Sequence, residues 1–357
     1  MSVRIYEFYF LALTMQIACH KPKFAGKHKK KMYICIVKAD AAEMLPLDCN
    51  KDQALPLSIH SARSAKGLVA SQASPTLPKD PNTYPHSMKV SIITATYNSA
   101  ATLKDTLESV LAQTHKDIEY IVIDGASTDG TLAILESYAP KFGSRMQYYS
   151  EPDKGIYDAM NKGLARATGD VVGILNSDDF YSSPHSLERL VKELEDSEAD
   201  AVYADIHYAD DANLAHCTRY YSSSLFRPSF MRLGFMPAHP TFYCKRECFE
   251  RYGFFDTSYR IAADFELLLR FIYVHHIRTT YLKADLVTMR TGGASNASLN
   301  NRMRIMQDHQ QALRSYGYAA PFALLSLRYL YKMWEIFISR FHKATPLPAY
   351  IQATHNG

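Results

Sequence analysis

No sign of charge dominates the 357 residues: the net charge is +4, and much of the excess crowds one stretch, Lys21, Lys23, Lys27 and Lys29 to Lys31. So mild a balance makes no case for nucleic acid as a partner. The six cysteines show neither disulfide nor zinc spacing; Cys244 and Cys248 can share a helix face, but a zinc site there lacks its other ligands. Reduced thiols of a cytosolic protein are the expectation. Long apolar runs are also missing. Ile5 to Cys19 is interrupted by Glu7 and falls short of the roughly 20 residues a membrane span needs. The lysines follow that run rather than precede it, the wrong order for a cleaved leader. Finally, the turn after the first strong strand, Tyr97-Asn98-Ser99-Ala100-Ala101-Thr102, holds no glycine. That removes both the G-x-G-x-x-G dinucleotide fingerprint and the Walker phosphate loop.

What is present begins at Met88. Residues 1–87 read as an extension or linker, rich in small polar residues and proline from Lys51 to Ser87. From Lys89 strands and helices alternate. The strand Val90–Thr96 precedes a helix carrying Leu103, Leu107, Val110 and Leu111, and Ile118–Ile123 ends at Asp124-Gly125. Met146–Tyr149 is short, and Ile156, Met160 and Leu164 mark the next helix. Alternation of this kind predicts an α/β fold with a mainly parallel sheet flanked by helices. The apolar run Val171-Val172-Gly173-Ile174-Leu175 then stops at Asn176-Ser177-Asp178-Asp179. Adjacent carboxylates at a strand end repel unless a cation is near, and magnesium or manganese prefers such oxygens. The competing reading is an Asp-rich turn before the next helix.

Parallel strands end on one edge, where open sheets bind their ligands. Thr94, Thr96 and Tyr97 of the first strand, Asp124 of the second and Asp178-Asp179 of the fourth therefore converge. A hydroxyl and a ring suit a base, a carboxylate suits ribose, and a metal on Asp179 suits a diphosphate.

Five segments, in order, carry a resemblance: Val90 to Asn98, Ile121-Val122-Ile123-Asp124-Gly125-Ala126-Ser127-Thr128-Asp129-Gly130-Thr131, Glu151-Pro152-Asp153-Lys154-Gly155 through Gly163, Asn176-Ser177-Asp178-Asp179, and Ala263-Asp264-Phe265-Glu266-Leu267. Together, from about Met88 to about Gly317, they resemble family 2 glycosyltransferases of the GT-A fold, of the bacterial colanic-acid, exopolysaccharide and O-antigen type. The resemblance implies a nucleotide-sugar donor held by Thr94, Thr96, Tyr97, Asp124, Asp153 and Asp178. It further implies a divalent cation, Mn2+ or Mg2+, at Asp179, and a saccharide or lipid-linked acceptor. It makes Asp264 the general base of an inverting transfer, which needs one carboxylate to take the acceptor proton. By position alone Asp264 is an ordinary acid at a helix start.

His239, in Met236-Pro237-Ala238-His239-Pro240, Glu266, and Arg290, in the loop Arg290 to Ser295, are acceptor-side or diphosphate candidates. The processive Q-x-x-R-W motif is broken, since Gln311-Ala312-Leu313-Arg314 is followed by Ser315; addition of a single sugar is expected. The rival readings are a non-catalytic nucleotide-sugar or glycan binder on the same scaffold and a metal-dependent phosphoester hydrolase. The first is disfavoured by the intact acids Asp124, Asp179 and Asp264. In the tail, residues 318–357, Arg328, Lys332, Glu335 and Ser339 form one stripe of a helix between Phe322 and Phe341 that is otherwise apolar. Such a helix fits a membrane interface or packing on the domain. The expected location is cytoplasmic, peripheral on the inner face of the membrane.

Overall fold

The computed structural model describes residues 88–291, 299–339 and 346–355, which belong to one compact unit, Pro85–Gly357. The N-terminal extension, the Gly292 to Ser295 part of the basic loop, and Arg340-Phe341 lie outside the described residues.

The first half follows the alternation. Strands β1 (Val90–Thr96), β2 (Ile118–Asp124), β3 (Met146–Ser150) and β4 (Val171–Ile174) are separated by helices α1 (Leu103–Leu111), α2 (Thr131–Phe142) and α3 (Ile156–Leu164). Every pairing among these strands is parallel, in the order β3-β2-β1-β4. Strand side chains alternate between faces, and β1 feeds two cores. Val90 and Ile92 pack with Leu103, Leu107 and Leu135, whereas Ile93 and Ala95 pack with Met160, Leu164 and Phe265. Burial on both faces is why β1 and β2 read as nearly unbroken apolar, β-branched runs. The register sets Thr96 opposite Asp124 and Asp124 opposite Ser150, so three strand ends sit level at one edge.

Beyond β4 the sheet is mixed. β5 (Phe180–Tyr181), α4 (Ser186–Ser197), β6 (Ala201–Asp210), β7 (Asn213–Tyr221), β8 (Tyr243–Lys245), α5 (Arg246–Tyr252), α6 (Ala263–Leu268) and β9 (Thr279–Arg290) follow in the chain. β8 is antiparallel to both β4 and β6, β9 is parallel to β6, and β5 is antiparallel to β9. The parallel pattern expected from the alternation therefore describes the half in which helices separate the strands. Where a hairpin (β6–β7) or a three-residue strand intervenes, antiparallel pairing becomes accessible. β5 follows β4 after a short turn yet lies at the other end of the order β4-β8-β6-β9-β5. The sheet is thus curled, which brings the end of β9 beside the acidic pair.

Three helices complete the chain: α7 (Leu299–Ser315), α8 (Phe322–Ser339) and α9 (Ala349–His355). Helix α8 packs inside out relative to a soluble amphipathic helix. Its polar stripe faces the domain, where Glu335 pairs with Arg219 of β7 and Ser339 Oγ accepts from Tyr220 N at 2.8 Å. Its apolar side chains Leu330, Met333 and Phe337 are exposed. Among the described residues no helix is long and apolar enough to cross a membrane.

Gly173 of β4 is a steric requirement. A Cβ there would run into the ring of Tyr243, which is fully buried and tied by its hydroxyl to Tyr181. The ring has no room to yield, so Gly173→Ala should cost about 1–3 kcal/mol as an overpacked core. A urea titration followed by circular dichroism would read this as a lowered midpoint with an unchanged slope. Equal midpoints would mean that the Tyr243 ring repacks freely.

Candidate active site

The loops after β1, β2 and β4 carry polar groups that the sheet no longer pairs, and they satisfy one another. Asn98 Oδ1 accepts from Thr128 N at 2.9 Å, and Asn98 N donates to Ser127 Oγ at 2.8 Å. Asp129 accepts from Ala100 N and Thr131 N, binding the first loop to the start of α2. Thr102 Oγ1 donates to Ser177 O at 2.9 Å and Thr106 Oγ1 to Asp179 O at 2.8 Å, so α1 holds the acidic turn in place. Asn98 and Ala126 take positive φ, 48° and 61°. For alanine that region is unfavourable by about 1–2 kcal/mol, local strain held by this mesh.

Above these loops lies a cavity of about 1460 Å³. Thr96, Tyr97, Asp153, Asp178, His239, Asp264 and Arg290 all line it, so the structure brings these seven expected residues together. Tyr97 is 62% exposed, a ring displayed rather than packed. Gly125 lets it and Asp153 approach the strand end: a Cβ at 125 would strike Asp153 Oδ2 and sit 3.3 Å from the Tyr97 ring.

The other expected residues sit elsewhere. Thr94 is fully buried, its hydroxyl donating to Leu175 O at 2.7 Å beneath the site. Asp124 is fully buried and accepts from Ser127 N, Ser127 Oγ and Ser150 Oγ, an arrangement that braces the turn. Glu266 points into the protein, where Arg270 grips both its oxygens at 3.0 Å and Tyr316 Oη donates to it. Asp179 is buried below the cavity wall, accepting from Asn176 Nδ2 at 3.1 Å, while its neighbour Asp178 faces the cavity.

The electrostatics separate these acids. Burial pushes the Asp178 carboxyl up, and burial followed by the charge of Asp178 pushes Asp179 well up. Arg290 opposes both shifts, but its guanidinium already serves Asp105 and Asp211. At the other wall, Asp264 at the start of α6 accepts from Phe265 N at 2.8 Å; burial raises its pKa, offset first by the nearby His239. Burial lowers His239, keeping the ring neutral, and its Nε2 is buried without a partner. Thr96, Asn176, Arg219, His239, Arg290 and Glu335, six residues that line this cavity, each carry a buried side-chain polar atom without a partner among the described residues. Unmet polar atoms at such density are expected where a ligand completes them.

Among the described residues there is no group of three His, Cys, Asp or Glu side chains arranged for a metal. A divalent cation of the magnesium type often takes only one or two carboxylates and completes its shell with water and substrate phosphate. Asp178 and Asp179, with the unpartnered Asn176 Oδ1 beside them, offer hard oxygen donors of that kind. The residues fit the protein's share of such a site.

Three contributors escaped the sequence reading. Tyr157 donates to Ile261 O at 2.5 Å, its oxygen 3.5 Å from Asp264 Oδ1; Asp308 of α7 accepts from Ile261 N and Ala262 N and so fixes the turn before Asp264. Asp129 is the third. Tyr157 and Asp129 stand inside quoted motifs, but Asp308 has no local signal, because its contact is made across 46 residues.

Comparison with known proteins agrees with this geometry. Residues 91–260 match the model of the family described as Glycosyl transferase family 2. A PGL/p-HBAD biosynthesis glycosyltransferase of Mycobacterium bovis is 31% identical over 208 residues, 58% of this chain and 78% of that protein. Among solved structures, a mannosyltransferase from Pyrobaculum calidifontis, in complex with GDP-Man and Mn2+, superposes with a TM-score of 0.51 at 21% identity, over 76% of each chain. S. aureus TarS 1-349, in complex with UDP-GlcNAc, gives 0.50 at 18% identity over 71% of this chain and 73% of its own. These likenesses give the fold: GT-A.

A raised carboxyl has a sign. The folded state holds the Asp179 proton more tightly than the unfolded chain does, so its stability relative to an uncharged isostere is lost as pH rises through the raised pKa. In cation-free buffer, Asp179→Asn should therefore melt higher than wild type at pH 7.5, and the difference should shrink towards pH 4. Scanning calorimetry at both values checks this; a wild type more stable than the variant at pH 7.5 would show Asp179 well compensated in the fold.

Proposed function

The chain belongs to glycosyltransferase family 2, and we propose that it is an inverting, metal-dependent transferase that adds a single sugar from a nucleotide-diphosphate donor to a saccharide or lipid-linked acceptor. The observation that carries this reading is the division of acids within one cavity: Asp178 beside Arg290 on one wall, Asp264 beside a neutral His239 on another. Tyr97, Thr96 and Asp153 surround the space for the nucleoside. The GDP-Man and UDP-GlcNAc bound by the two structural neighbours support a donor of this class, and the Mn2+ of one supports a cation.

In the transfer, the bond between sugar C1 and the diphosphate oxygen breaks while the acceptor oxygen bonds to C1 from the opposite face. The nucleoside diphosphate leaves with the bonding electrons, and the acceptor's proton passes to Asp264. Asp178 and Asp179 would hold a divalent cation, which when bound would neutralise charge on the leaving diphosphate. The residues around Asp264 suit a base. Burial raises its proton affinity, and the offset from His239 does not cancel that rise. His239, kept neutral, leaves the carboxylate free to accept. Arg290, near the Asp pair, is suited to orient the diphosphate. Surface polysaccharide assembly in a bacterium is the setting we infer, with the exposed apolar side of α8 resting on the inner face of the membrane.

Asp264→Asn keeps the shape but cannot accept the proton, so transfer should fall by about a hundred-fold or more while donor affinity is kept. Single-turnover assays beside donor titrations separate the two effects; wild-type rates would exclude Asp264 as base. In the wild type the rate should fall with acidity through a pKa above the ordinary 3.8 of aspartate, because burial raises this one.

A further inference from the structure

Successive residues of α1 hold the two groups that face the space for the diphosphate. Thr106 takes the acidic turn through Asp179 O, and Asp105 pairs with Arg290. Arg290 lines the cavity; Asp105 is buried behind it, outside the lining. The other carboxylate on Arg290, Asp211, lies in the β6–β7 turn with its side chain 63% exposed. Solvent screens that pair, so Asp105 is the partner that fixes the guanidinium. The ring of the buried Phe180 lies 6.0 Å from it. Arg290 Nε is buried and has no partner among the described residues, so a donor is left after both carboxylates are met.

What holds Asp105 comes from the other end of the chain. His355 Nε2 donates at 3.0 Å to Asp105 Oδ2, the oxygen that also accepts from Arg290 Nη2. Thr354 Oγ1 lies 2.5 Å from Asp105 Oδ1, with the Ile351 carbonyl 2.7 Å away as its other acceptor. Helix α9 thus meets both oxygens of the carboxylate, which restrains its rotation. The helix is itself pinned. Ile351 is fully buried with Phe180, Ala209 and Leu214, and Tyr350 Oη donates to Tyr181 O at 2.6 Å. Phe180 and Tyr181 form β5, which leaves the acidic turn directly. So α9 ties together α1 and β5, the two elements fixed to that turn.

We infer that α9 is a latch for this site: His355 and Thr354, acting through Asp105, hold Arg290 in place to receive the diphosphate. All three are positioning residues, since none of them lines the cavity. A free arginine loses rotamer freedom when its ligand arrives, and the affinity is lowered by that loss; an arginine already held loses little. The latch therefore acts on the diphosphate and not on the nucleoside, which is met by Tyr97 and Asp153 on other loops. The inference rests on the reading of Arg290 as the residue that orients the diphosphate.

The test is calorimetric titration of the full chain with manganese present throughout. The ligands are UDP, GDP and dTDP, and then the nucleoside monophosphate matching whichever of them binds. His355→Ala should weaken the diphosphate by about three- to ten-fold, the scale of ordering one long side chain, and the monophosphate far less. The His355 side chain is 52% exposed, so its variants keep the fold. His355→Gln, which sets an amide N–H where Nε2 stands, should restore the affinity. Ile351→Ser, which undocks α9 without touching a polar partner of Asp105, should reproduce the loss. Equal losses for diphosphate and monophosphate would reduce α9 to a structural brace and overturn the inference. Tighter diphosphate binding in His355→Ala would overturn it too, because α9 would then be withholding Arg290 from the ligand. A wild type that binds one of the diphosphates while both His355→Ala and Ile351→Ser match it would sink the latch alone. A wild type that binds none of them would sink the transferase reading, and the latch with it.

Discussion

Where parallel strands end together, the sheet stops pairing their backbone groups, and every other feature of the site depends on how those groups are satisfied. Here side chains of the following loops do it, Asn98 and Asp129 across the first two and Thr102 and Thr106 onto the acidic turn. The mesh is short-range and charge-assisted in places, so it is stiff. Stiffness at this edge lets Asp178 face a cavity while Asp179, one residue on, is held inside. It also sustains the positive φ of Ala126, which an unsupported loop would relax.

The cavity concentrates what the rest of the fold avoids. Leaving a buried polar atom without a partner costs about 1–3 kcal/mol, and six residues of its wall carry such an atom. Two adjacent acids with raised proton affinity add to that cost. Such a wall is destabilising in the free protein. The two apolar cores, which cover both faces of β1 and β2, offset it.

The parallel half of the fold and the acidic pair were legible from the sequence, because β-branched runs buried on both faces leave an unmistakable pattern and because strand direction fixes which ends meet. What the pattern does not encode is which lone pairs are already taken. Thr94, Asp124 and Glu266 sit at the expected positions along the chain, yet each is consumed by a neighbour, Leu175, Ser127 with Ser150, and Arg270 with Tyr316. A β-strand places Thr94 and Thr96 on the same face, so parity alone cannot say that one is buried under the turn and the other opens into the cavity. The mixed half of the sheet was hidden for a different reason: β5 has two residues and β8 three, too few to show a period.

The direction in which α8 faces follows from competition between burying oil and placing charge. Hydrophobic burial alone would turn Leu330, Met333 and Phe337 inward and leave the stripe of Arg328, Lys332 and Glu335 in water. The helix does the reverse, and Glu335 shows the cost: even paired with Arg219, its carboxyl is pushed up to about 7, because desolvation outweighs the attraction. An isolated helix gains nothing from that arrangement. A helix that must present cations to a cavity and an apolar surface to whatever lies outside gains both at once. The polar contacts that hold it in this orientation, Glu335 to Arg219 and Ser339 to Tyr220, run along β7, and Leu325 of its first turns packs into the core. Charge pairing on one side and the burial of Leu325 at one end thus set the orientation together, and the exposed apolar face is the consequence.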